Sequence, residues 1–83
     1  MVIYFLLGRL TQRLKVGISG DFTKRLDGMR RQNFDDIEVL GTIIGDLDLE
    51  QSIHAELEGF RTHYEFYDYC PEVKAVVARY LKV

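Results

Sequence analysis

A chain of 83 residues corresponds to one domain, and a domain this small buries only ~60% of its unfolded surface, so a modest stability margin is expected. Apolar residues make up 47% of it, with five Tyr and five Phe, which suffices for one core and excludes a disordered composition. The net charge of −2 lacks the basic excess of strong non-specific nucleic-acid binders, and the single cysteine, Cys70, excludes an internal disulfide and fits a reducing cytoplasm.

The opening "MVIYFLLG" is too short for a membrane span, which needs ~20 apolar residues, and it lacks the basic start of a signal peptide. Residues 2–7 read as a strand, residues 8–12 as a polar hairpin loop, and residues 13–18 as a second, antiparallel strand with Leu14, Val16 and Ile18 on one side. Gly17 and Gly20 read as turn residues, and Asp21 is a good N-cap for a helix whose buried face carries Phe22, Leu26 and Met29. "RQNFDD" reads as a turn and residues 37–44 as a third strand.

Asp46 or Asp48 caps a second helix with Leu49, Ile53 and Leu57 on one face, and Gly59 stands where a C′ glycine would stop it. "HYEFYDY" reads either as a short strand or as an ordered loop. Pro71 opens a third helix, with Val73, Val76, Val77, Tyr80 and Leu81 on its apolar face. The expected fold class is α+β in one domain over residues 1–83: a small three-stranded, mostly antiparallel sheet flanked by helices, in the order ββαβαα.

The charges are unevenly spread. Between Lys15 and Arg31 there are five basic residues and two acidic ones, whereas residues 32–60 contain no Lys or Arg. Arg25 borders the buried face of the first helix, where a guanidinium can grip a phosphate, and the turn before it lets a backbone approach an anion. Glu50 and His54 lie four apart on the second helix, where a carboxylate can bind a hard divalent cation and an imidazole can assist by hydrogen bonding or proton transfer. Spacing alone fits ordinary roles as well: Arg25 as a solvated edge charge, Glu50 and His54 as a surface pair, Tyr4 as a core tyrosine, and Lys24, Arg30 and Arg31 as solubilising charges.

Taken jointly and in order, these features resemble the GIY-YIG nuclease superfamily, in particular its small phage-borne branch, whose members are often fused to DNA-binding modules. "VIY" at 2–4 stands where the first triplet would, "KVG" at 15–17 stands where the second would, and Lys15 follows Tyr4 by eleven positions. Arg25, in "GDFTKRL", matches the context of the family's catalytic arginine. Glu50, in "LEQSIHAEL", matches the helix bearing its metal-binding glutamate, and His54 matches a histidine often seen in this branch. "HYEFY" is similar to the branch's "GEWF" segment, with Phe66 in place of tryptophan. The chain departs from the pattern at Val2 for the first glycine, at Lys15 for the second tyrosine, and at Met29, where some members carry histidine.

The resemblance implies a metal-dependent DNA endonuclease acting in the cytoplasm of a bacterial or phage-infected cell. Tyr4, its deprotonation favoured by Lys15, would act as or orient the general base for a water, and Arg25 would stabilise charge on the phosphate. Glu50 would hold one Mg²⁺ or Mn²⁺, and His54 would support the site. Gly17 would allow close approach to the phosphate backbone, and Lys24, Arg30 and Arg31 would contact DNA. A domain of this size leaves little surface for sequence reading, which then falls to a homodimer partner or a separate DNA-binding protein. The acidic net charge and Lys15 keep open a second reading, a non-catalytic module on the same fold that binds nucleic acid or protein.

Overall fold

A computed structural model of the chain describes residues 1–32 and 35–83. In chain order the elements are β1 (Val2–Gly8), β2 (Arg13–Ser19), α1 (Phe22–Gln32), β3 (Ile37–Ile44), α2 (Leu47–Leu57), a 3₁₀ turn over Glu58–Phe60, β4 (Arg61–His63), β5 (Phe66–Asp68) and α3 (Pro71–Leu81). The strands form one sheet in the order β3-β1-β2-β5-β4, and every described pairing is antiparallel.

The fold is therefore α+β, but the expected three-stranded sheet in the order ββαβαα needs correction. The sheet has five strands, because the aromatic segment after Gly59 folds back on itself as β4 and β5, three residues each. Tyr64, at φ 49°, supplies the left-handed residue of that reversal. Of the turn expected over "RQNFDD", Arg31 and Gln32 belong to α1, while Asn33 and Phe34 lie outside the described residues.

Strand alternation sorts the core into two clusters. Ile3 and Phe5 of β1 join Leu14 and Val16 of β2 and Tyr67 of β5, beneath Ile53 and Leu57 of α2 and Val73 and Val77 of α3. On the opposite face, Tyr4 and Leu6 join Ile37 under Phe22, Leu26 and Met29 of α1. Helices thus cover both faces of the sheet.

The helix starts follow the capping chemistry read from the sequence. The Lys24 N–H donates to Asp21 Oδ1 at 3.2 Å, and the Leu49 N–H donates to Asp46 Oδ1 at 2.9 Å, so the cap of α2 is Asp46 and not Asp48. Each such cap stabilises its helix by roughly 1 kcal/mol. The two glycine expectations differ. No described glycine has a positive φ, so Gly59 is not a left-handed C′ residue: α2 is capped at Glu58 and runs on into the 3₁₀ turn. Gly17 lies inside β2, within the strand expected over residues 13–18, and not in the turn that follows it.

Candidate active site

The register of β2 creates the site. β5 pairs with Arg13, Leu14 and Lys15, and the next link is a single 3.4 Å hydrogen bond from the Val16 N–H to the Glu65 carbonyl. Beyond it, among the described residues, no strand lies along the outer edge of β2. Two open depressions flank this edge. One, of ≈ 770 Å³, is lined by Lys15, Glu50, His54, Arg61, Tyr64, Glu65 and Phe66. The other, of ≈ 530 Å³, is lined by Lys15, Ser19, Lys24, Arg25 and Met29. Lys15 is the wall they share.

Tyr4 is only 1% exposed and is the register partner of Gly17. A Cβ on Gly17 would stand 2.2 Å from the Tyr4 Oη and 2.3 Å from Cζ, so the phenol occupies the space a side chain would need. The close approach at Gly17 is thus to Tyr4, inside the protein, which is a different use of the glycine from the one its sequence context implies. The positive charge of Arg25 acts on the Tyr4 phenol.

Burial pushes the Tyr4 phenol above its ordinary value; the neighbouring Arg25 pulls it down, and Glu65 and Glu50 add upward effects. The expectation that Lys15 would favour phenol deprotonation is corrected in two respects. The net direction is upward, and the cation acting on the phenol is Arg25. The Lys15 ammonium lies over the Phe66 ring, 5.3 Å from its centroid.

Glu50 is 7% exposed, a buried charged residue on the inner side of α2. Its carboxylate faces His54, with Oε2 3.6 Å from Nε2. The other ring nitrogen, Nδ1, shares a short hydrogen bond with the hydroxyl of Tyr67, whose donor depends on the imidazole tautomer. Glu65, in the β4–β5 turn, completes the cluster: one ligand atom from each of Glu50, His54 and Glu65 lies within 4.8 Å of the others. A carboxylate this buried needs a charge partner, and here its neighbours are an imidazole and a second carboxylate. Two carboxylate oxygens and an imidazole nitrogen are a donor set suited to a divalent cation, so the residues fit the ion that the sequence implies.

Sequence reasoning missed Glu65. The only available signal was an acidic residue inside the aromatic run "HYEFY", and nothing periodic located it. The remaining basic residues are spread out. Lys24 lines the Arg25 depression, and it also lines the next hollow along α1 together with Arg30. Arg30 donates to the Ile37 carbonyl at 3.4 Å. Arg31 pairs with Asp27 at 2.7 Å on an exposed face. A further, mostly apolar hollow of ≈ 300 Å³ lies between Leu6, Lys15, Met29, Ile37 and Phe66; Asp35 in its wall accepts hydrogen bonds from the Leu10 N–H and the Thr11 hydroxyl.

Among the described residues, no helix is long and apolar enough to cross a membrane. Neither a curated protein nor a solved structure matches the chain. The family model of the T5orf172 domain matches residues 1–81, and with that match the chain belongs to this family, a phage-associated domain of the nuclease-related group.

Proposed function

We propose that this domain is a GIY-YIG-type endonuclease that hydrolyses phosphodiester bonds in DNA with the help of one divalent cation, Mg²⁺ or Mn²⁺. One juxtaposition carries the reading. Arg25, whose charge acts on the buried Tyr4 phenol, lines one depression, the buried Glu50 faces His54 in the next, and Lys15 lines both.

Lys15 and Arg25 receive the scissile phosphate in the depression they share. Arg25 stabilises the charge that grows on the phosphoryl oxygens, a role for which a preorganised donor contributes ~2.7–4 kcal/mol. Tyr4, neutral near pH 7 as a phenol ordinarily is, orients the attacking water through its hydroxyl and does not deprotonate it. Glu50, with His54 beside it, would hold the cation, which when bound supplies Lewis-acid stabilisation of the leaving 3′-oxygen. Attack of water on phosphorus breaks the P–O3′ bond and leaves a 5′-phosphate and a 3′-hydroxyl, the proton lost by the water passing to solvent and the leaving 3′-oxygen taking one from solvent.

Nicking of supercoiled plasmid in Mg²⁺ or Mn²⁺ tests this. Wild type should nick, and Arg25→Ala and Glu50→Ala should each lose at least ~10²-fold in rate. A wild type that does not nick, or variants that nick like wild type, would contradict it. The net charge of −2 and the lysine in the second triplet favour a second reading, a non-catalytic module binding nucleic acid or protein. That module would shift labelled DNA with an affinity falling steeply in salt, and would leave the plasmid intact.

A further inference from the structure

We propose that Glu65 and the Nε2 of His54 are cation ligands alongside Glu50, and that this nitrogen-containing set prefers a first-row transition cation, for which Mn²⁺ is the probe, over Mg²⁺. The inference rests on the endonuclease reading and deepens it, because that reading needs only Glu50 as a ligand, with His54 as its neighbour, and leaves Glu65 without a role.

Three observations carry it. First, the donor atoms of Glu50, His54 and Glu65 already lie within 4.8 Å of one another, from two elements far apart in sequence, α2 and the β4–β5 turn. Second, Glu65 is held there by the fold: its carbonyl accepts from the Val16 N–H at 3.4 Å, and the left-handed Tyr64 precedes it. Third, the imidazole is anchored from behind. Tyr67 is fully buried, yet its hydroxyl is spent on the Nδ1 of His54, and the two rings lie 5.6 Å apart.

A ligating Nε2 requires the ring proton on Nδ1, where it is donated to Tyr67 Oη. A hydrogen bond from the non-ligating nitrogen is the usual way a metal-binding histidine is fixed in tautomer and orientation. Magnesium favours an all-oxygen, largely hydrated shell, whereas an imidazole ligand suits first-row transition ions.

The test is a titration of the full chain with Mn²⁺ alone, followed by the resonance signal of free Mn²⁺, with Mg²⁺ as competitor. The chain has two histidines, His54 and His63, so pulsed resonance can identify the nitrogen. Expected are one bound Mn²⁺, coupling to one imidazole nitrogen that is lost in His54→Gln and kept in His63→Gln, and Mg²⁺ competition only at ~10-fold or greater excess. Glu65→Gln should weaken Mn²⁺ binding by ~10-fold or more, and Tyr67→Phe by ~10-fold.

Tyr67 is a core residue, so its variant is read only if its melting curve stays cooperative; Glu65 is exposed in a turn and carries the test regardless. Absence of nitrogen coupling, or Glu65→Gln binding like wild type, overturns the proposal; if Glu50→Gln still abolishes Mn²⁺ binding in that case, the endonuclease reading stands. If Glu50→Gln binds Mn²⁺ like wild type, both fall.

Discussion

The two faces of the sheet are built for different ends. Under α2 and α3, nine residues from five elements are buried in one dry cluster. Under α1, the buried cluster among the described residues is three residues, and no residue of α1 itself is fully buried. The thin face is also the one that carries Tyr4, Lys15 and Arg25. Stability is therefore concentrated on one face, while the other keeps a buried phenol, a free strand edge and cations open to a ligand. Glu50 and His54 join the two: they belong to the helix that covers the thick core, yet they reach past the end of β5 to the open edge of β2.

Substitutions should expose this difference. Leu57→Ala empties a fully buried site in the thick cluster and should cost about 2–5 kcal/mol by chemical denaturation. Gly17→Ala comes next. Its Cβ would collide with the Tyr4 ring, so repacking should cost about 1–3 kcal/mol and displace the phenol. Leu26→Ala, on the half-buried face of α1, loses only about half the transfer free energy of a buried leucine and should cost about 1 kcal/mol. Losses of equal size from Leu57→Ala and Leu26→Ala would contradict the asymmetry.

The smallest effect concerns pH. Burial raises the phenols of Tyr4, Tyr67, Tyr69 and Tyr80 above the ordinary value of about 10. Above that value the unfolded chain loses these protons first, so the folded state binds more of them and stability falls as pH rises. The contribution is present in full below about pH 10 and is lost as the pH climbs through the folded values. Melting temperatures should stay level up to about pH 9 and drop beyond about pH 10, and Tyr4→Phe should make that drop shallower.

Much of this architecture is legible in the residues because helices and longer strands repeat. The spacing of Phe22, Leu26 and Met29, and of Leu49, Ile53 and Leu57, marks faces that do pack inward, and the third strand runs over Ile37–Ile44 as read. β4 and β5 escape because three residues hold no period, and their identity comes from pairing with β2. The glycines mislead for a related reason. Local context makes Gly17 a turn residue, whereas its real neighbour is a ring on the adjacent strand, thirteen positions earlier in the chain. Likewise, Lys15 follows Tyr4 by a suggestive interval, but the cation that meets the phenol comes from α1. Glu65 reaches Glu50 and His54 only through the hairpin that the aromatic segment conceals.

Whether Arg25 and Glu50, on different helices and in adjoining depressions, serve one reaction is decided most directly by a double-variant cycle on plasmid nicking. With folding verified for each protein, wild type, Arg25→Ala, Glu50→Gln and the double variant are compared in Mn²⁺. A single site gives a loss of at least ~10²-fold for each single variant and little further loss in the double, because residues that act as a unit are strongly non-additive. Two losses that simply multiply, or a wild type without nicking activity, would contradict a shared site.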